Sequence, residues 1–250
     1  MDLFPTFKLC IAGTLLSASL GCATTQCTSA LSRVKDAAVQ AALSPETAVP
    51  LAAAGVVAAT GWDNDISQWA GDRTPLFGSC ANADIWSNYL LGGSRMTGTV
   101  TALAAYGARR KLELLGISVM TNAMNDAGVA SLKRSSARLR PDASDRMSFP
   151  SAHASTAAGS AVIARRGAGY VRVSPAQKKA LRMGASTMAA GTAWARVEAR
   201  KHHVTDVLTG AAVGAFFGNF LCNLALPGIV GVSLTTLSDT SCYTVSFAFN

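Results

Sequence analysis

Between Ala30 and Leu226 the chain runs as a succession of alanine-rich apolar stretches, at 48–60, 97–108, 112–124, 152–164 and 184–195, broken by Gly, Pro or charged residues. Stretches of this pattern are helical, and most are shorter than the roughly 20 residues a bilayer span needs. Half of the 250 residues are apolar and 14% are charged, which excludes a disordered chain. No repeat or long linker divides them. The expectation is an all-α helical bundle. The tail follows another rule: Tyr243, Val245, Phe247 and Phe249 alternate with small or polar residues, the period of a strand, and Ser238-Asp239-Thr240 fits the turn of a short C-terminal β-hairpin with 229–237. The charge-free run from Val207 to Val232 is long enough to cross a membrane. Asn219, Asn223 and Pro227 interrupt it, and a buried core helix fits it equally.

The first residues have the order of an export signal. Lys8 precedes an apolar run from Leu9 to Leu20, and small residues follow. Ser19-Leu20-Gly21-Cys22 resembles a bacterial lipoprotein box, in which the cysteine becomes lipidated; ordinary cleavage after Gly21 or Ala23 fits almost as well. The expected division is a signal peptide over 1–21 and a single exported domain over 22–250, in the periplasm or cell envelope. Lipidation of Cys22 would tie it to a membrane. Beyond Cys22, Cys27, Cys80, Cys222 and Cys242 either form two disulfides or stay as buried thiols. None lies in a Cys-x-x-Cys or Cys/His pair, so no metal is expected.

The net charge is +8, and it is concentrated. Residues 133–201 hold 14 basic and 3 acidic side chains, whereas 202–250 hold no Lys or Arg and 22–132 are close to neutral. A local positive field attracts anions: nucleic acid, an anionic membrane surface or a phosphorylated small molecule. Nucleic acid is not expected, because export removes that partner and few aromatics interleave with the basic residues.

Three blocks within and just beyond that segment carry chemistry. In the first, Lys133 and Arg140 are seven residues apart, two helical turns, and Pro141 would end the helix; an ammonium and a guanidinium on one face can hold an oxyanion. In the second, Pro150-Ser151-Ala152-His153, Ser151 is a good N-cap. The first N–H groups of the helix can bind phosphate oxygens, and His153 would stand beside that anion. In the third, Arg196 is followed by His202 and Asp206, four apart and so adjacent on a helix face. Asp206 can then accept from one ring nitrogen and leave the other free to attack. All three histidines of the chain lie in the last two blocks.

Together the blocks resemble the type 2 phosphatidic acid phosphatase family, which shares its core with bacterial class A acid phosphatases and vanadium haloperoxidases. Lys133, Arg140 and Pro141 fill the pattern KxxxxxxRP; Pro150, Ser151 and His153 fill PSGH; Arg196, His202 and Asp206 fill SRxxxxxHxxxD. Ala152 stands where the family has Gly, and Ala195 where it has Ser. The resemblance implies the helical bundle of that family and a metal-independent phosphatase, needing no cofactor, that acts on a phosphomonoester or lipid phosphate. His202 would be the nucleophile, forming a phosphohistidine; Asp206 would orient it; His153 would protonate the leaving oxygen. Lys133, Arg140, Ser151, Ala152 and Arg196 would hold the phosphoryl oxygens. Two other functions remain beside this one: a vanadium-dependent haloperoxidase using the same pocket, and a non-enzymatic basic envelope protein binding anionic lipid.

Overall fold

The computed structural model describes residues 23–226, 230–236 and 243–249, with side chains over 30–226. The signal peptide over 1–21 and Cys22 lie outside the described residues, as does the Ser238-Asp239-Thr240 turn.

Eight α-helices follow in order: α1 (Ala23–Leu43), α2 (Pro45–Thr60), α3 (Trp62–Arg73), α4 (Cys80–Ala104), α5 (Ala108–Ser136), α6 (Ala152–Gly167), α7 (Pro175–Glu198) and α8 (Val204–Ala225). Strands β1 (Val230–Thr236) and β2 (Tyr243–Phe249) pair antiparallel, from Val230 opposite Phe249 to Thr236 opposite Tyr243. Local chemistry sets several boundaries. Ser174 and Gln177 form a reciprocal capping box on α7, with Pro175 as its first residue. Ser79 Oγ accepts from Asn82 N at the start of α4. Gly61, at φ 73°, ends α2 and begins α3 in a conformation that a side chain would strain.

Helix α8 is the axis of the bundle and packs against α1, α2, α5, α6 and α7. Among the described residues it is the one helix long and apolar enough to cross a membrane, and half of its apolar window is covered by protein. The run expected to continue to Val232 stops as a helix at Ala225. Its closest neighbour is α6, and the reason is a row of glycines one turn apart. A Cβ on Gly210 would lie 2.4 Å from Ser151 O, one on Gly214 would lie 1.8 Å from Ser155 O, and one on Gly218 would lie 3.1 Å from the Val162 Cβ. Only glycine lets α8 come this close, so the row fixes where the N-terminus of α6 sits relative to the start of α8. Alanine dominates the buried core, as at Ala102, Ala154, Ala157, Ala164, Ala195 and Ala215, which keeps the helices close throughout. Large apolar side chains point outward instead: Leu76, Ile85, Trp86, Tyr89 and Met96 are all at least half exposed.

Cys80 and Cys222 are free thiols, and the side chains of Cys27 and Cys242 lie outside the described residues. Cys222 is buried in the core beside Leu114 and Leu221, where its thiol meets Arg166, and the buried-thiol alternative holds for it.

Candidate active site

The site forms where the end of α5, the start of α6, the end of α7 and the start of α8 meet one face of α4. Helix α5 ends earlier than the sequence suggests. It stops at Ser136, and Ala137 takes a left-handed conformation, φ 43°, with its N–H on Lys133 O. Arg140 is therefore in a loop, not on the helix face with Lys133. It reaches the same region because its backbone is held by Asp145, its Nε donates to Asp145 Oδ1 at 2.7 Å and its Nη1 donates to Lys201 O at 3.4 Å. Lys133 Nζ donates to Met147 O across that loop. Burial, then the neighbouring Arg140, lowers the Lys133 pKa.

Ser151 is the N-cap of α6, fully buried, with its Oγ accepting from Ala154 N at 3.4 Å. Its own N–H donates to Asp206 O, so that backbone group is taken. The first N–H groups inside the helix, on Ala152 and His153, have no intrahelical acceptor and are the ones that can meet an anion. His153 Nε2 stands 3.0 Å from Asn88 Oδ1. Taking Asn88 Oδ1 as the acceptor, Nε2 carries the proton and Nδ1 the lone pair. Burial, with Arg196 and His202 nearby, pushes His153 down to about 4.

Arg196 is buried in the last turn of α7. Its Nη1 donates to Asp84 Oδ1 at 2.5 Å and Ser87 Oγ at 3.2 Å, while its Nε–H is buried without an acceptor. His202 lies in the α7–α8 loop, before α8 begins, so it shares no helix face with Asp206. The two meet through a cap: Asp206 is the third residue of α8 and its Oδ2 accepts from His203 N at 2.8 Å. The His202 ring is 2% exposed. Its Nδ1 is 2.7 Å from Ser148 O and 3.8 Å from Asp206 Oδ2, so the direct bond expected from Asp206 is made by a backbone carbonyl. Ser148 Oγ in turn donates to Asp206 Oδ2 at 2.5 Å. A carbonyl only accepts, so Nδ1 carries the proton and Nε2 keeps its lone pair. Burial lowers His202 to about 4 despite the nearby Asp206. Burial also pushes the Asp206 carboxyl up, but the His202 ring, the Ser148 hydroxyl, Arg138 and the His203 N–H outweigh it and hold the carboxyl below its usual range.

Several of these partners escape sequence reasoning. Arg138, one of the basic residues of the 133–201 segment, turns inward. Its Nη1 donates to Asp206 Oδ1 at 2.7 Å and its Nη2 to Asp63 Oδ2 at 2.5 Å. Asp63 on α3 also accepts from the N–H and hydroxyl of Thr205. Asp84, Ser87 and Asn88 form one face of α4, three and four residues apart, and that polar face inside an otherwise mixed helix was the available signal. Glu198, fully buried, accepts from Leu76 N, Phe77 N and Trp194 Nε1, and so ties the α3–α4 loop to the end of α7. His203 is the N-cap residue of α8 and places Nε2 3.3 Å from Leu139 O.

The arrangement brings Lys133, Arg140, His153, Arg196, His202 and Asp206 within one local field: Arg140 and Arg196 act on Lys133, Arg196 and Lys133 act on His202, and Arg196 and His202 act on His153. A neutral imidazole with a free Nε2, in the field of Lys133 and Arg196, can attack the centre of a tetrahedral oxyanion. Among the described residues no group of three or more His, Cys, Asp or Glu could hold a metal.

Residues 112–227, which span every residue of the three blocks, match the family described as PAP2 superfamily. A transmembrane PAP2-type phosphatidylglycerolphosphate phosphatase from Bacillus subtilis has a similar fold, with a TM-score of 0.56 and 22% identity over 74% of this chain and 98% of that one. A search of curated proteins by sequence gives no match.

Proposed function

We propose that the chain, whose residues 112–227 match the PAP2 superfamily, is a metal-independent phosphatase working through a phosphohistidine. The observation that carries the reading is the state of His202: buried, neutral, its Nδ1 proton on Ser148 O and its Nε2 lone pair free. His202 Nε2 attacks phosphorus and the P–O bond to the leaving group breaks in line. His153 gives its proton to the departing oxygen, and the alcohol leaves. Water then attacks the phosphohistidine with His153 taking its proton; the N–P bond breaks and phosphate is released. Lys133, Arg140, Arg196 and the N–H groups at Ala152 and His153 meet the equatorial oxygens, with the Ser151 hydroxyl beside them.

His153 at about 4 is neutral near pH 7 in the free protein. A bound phosphate offsets the Arg196 charge that depresses it, so the proton needed for the leaving group arrives with the substrate. Asp206 acts at one remove, through Ser148 and the His203 N–H, as a positioning residue.

The substrate we propose is a phosphate ester with an apolar body. Beside the polar face of α4, the exposed Ile85, Trp86 and Tyr89 stand on the same helix, and Phe77 stacks on Trp86. An apolar surface next to a phosphate site suits a lipid phosphate and contact with a membrane surface. Export by a leader over 1–21, with the remainder 22–250 as the working domain, belongs to the same proposal.

The test is aryl-phosphate hydrolysis. His202→Ala should abolish it with the fold intact by circular dichroism, and Arg196→Ala should cost about 3–4 kcal/mol of transition-state stabilisation, as for a lost oxyanion donor. Vanadate, which mimics the five-coordinate phosphorus, should inhibit the wild type. Undiminished turnover by His202→Ala ends the proposal.

A further inference from the structure

At the other end of α6, a polar cavity of about 450 Å³ opens between α6, α7, α8 and the junction of α1 with α2; Arg165, Arg166, Arg182, Asn219 and Asn223 line it. Arg165 is twelve residues along α6 from His153, about 18 Å at 1.5 Å per residue, so this is not the phosphatase centre.

The three guanidiniums are not equivalent. Arg165 is neutralised by Glu46 at 2.8 Å, and its Nη1 donates to Ser186 Oγ at 3.0 Å. Arg166 bonds Asn223 Oδ1, and Arg182 Nε donates to Arg165 O at 3.3 Å. Both partners are neutral, and Glu46 is the one carboxylate in the lining. The cavity therefore keeps two positive charges that the described residues do not balance.

Helix electrostatics explains part of this. Arg165 and Arg166 lie in the last turn of α6, where cations suit the helix dipole. It does not explain Arg182, which comes from α7. Nor does it explain the two amides one turn apart on α8, which interrupt the most apolar of the described helices. Asn219 is 5% exposed and bonds Ser44 Oγ at 3.1 Å; Asn223 bonds Ala37 O and holds Arg166. These amides fix the floor of the cavity and aim a guanidinium into it. Two guanidiniums with most of their N–H donors unused, over a rigid amide floor, match a multiply charged oxyanion.

We propose that this cavity is a second anion site, separate from the His202 centre, that takes a phosphate group carried by either a free phosphoryl compound or a lipid headgroup. It does not depend on the phosphatase reading.

Equilibrium dialysis of labelled inorganic phosphate at low ionic strength tests it. The wild type should hold two phosphates per chain. Arg196→Ala and the double variant Arg166→Gln/Arg182→Gln should each keep one, and the combined variant none. Gln40→Glu adds a carboxylate to the wall without removing a bond, and should weaken the second site about tenfold. The double variant and Gln40→Glu should both keep wild-type turnover of an aryl phosphate. Co-sedimentation separates the sources. Tighter binding to phosphatidylcholine vesicles containing an anionic phospholipid, lost in the double variant, identifies a lipid headgroup; a phosphate site with no such vesicle effect identifies a free phosphoryl compound. A single phosphate site lost entirely in Arg196→Ala, or a second site that survives the double variant, overturns the proposal. Activity loss in His202→Ala reports on the phosphatase alone, so the two can fail separately.

Discussion

Arg138 shows how much of the site is second-hand chemistry. Its guanidinium joins two carboxylates from different helices, Asp63 and Asp206, and its side chain is 31% exposed. Without it, burial acts on Asp206 with less opposition, and the carboxyl protonates at higher pH. A protonated Asp206 holds the His203 N–H and Ser148 less firmly, and His202 loses its frame. Arg138→Gln should therefore move the acid limb of kcat/KM to higher pH while leaving KM for an aryl phosphate nearly unchanged, and Arg138→Lys should restore part of the profile. The stability loss should be about 2–3 kcal/mol, below that of a fully buried pair because the side chain is partly wet. An unshifted acid limb would assign Arg138 to stability alone. The sequence could not show this, since nothing in a string of residues places position 138 beside 63. What it could show was the reacting chemistry, because histidines are few and the three blocks have fixed spacing. The geometric argument behind two of those spacings was wrong even so. Arg140 and His202 both lie off the helices that were meant to present them, and a loop ion pair and an N-terminal cap bring them in instead.

Among the elements, the pair α6 and α8 decides whether the site exists. Gly214 lies so near Ser155 O that a methyl group there must push the helices apart. The same shift would move Ser151, His153 and Asp206 relative to each other, since Gly210 touches the α6 cap. Gly214→Ala should thus cost at least about 1–3 kcal/mol in urea unfolding and lower turnover together with stability. Gly184→Ala on α7, where a Cβ meets nothing within 4 Å, should stabilise by up to about 1 kcal/mol through helix propensity and leave turnover unchanged. Equal effects from both would deny the close α6–α8 packing. Helix existence was legible wherever an apolar run had helical length, as in α2, α5, α6 and α7. It was not legible in α3, whose Asp63, Asn64 and Asp65 interrupt any apolar run, or in the first half of α4, whose polar face is turned to the site. The stretch 97–108 read as one element but crosses the end of α4 at Ala104, because alanines continue past the break.

Taken whole, the molecule buries His202 and half-buries His153 in a basic neighbourhood and so links its stability to pH. In the folded chain His153 and His202 lie at about 4; in the unfolded chain each returns to about 6.5. Between those values the unfolded chain binds more protons, so stability is full above pH 6.5 and drains away as the pH falls through 4. Asp206, held below its usual range, acts in the same direction at lower pH: its contribution is present above the unfolded carboxylate value and is lost as the pH falls through the folded one. The urea midpoint should then drop steadily from pH 7 to pH 4. His202→Asn, which has no imidazole to protonate, should show a shallower fall over the same range. Phosphate should oppose the decline, since an anion among Lys133, Arg140 and Arg196 lets His153 protonate without leaving the folded state. A midpoint that stays flat between pH 7 and 4, or one that His202→Asn leaves unaltered in slope, would mean the two rings are not held among cations as the fold places them.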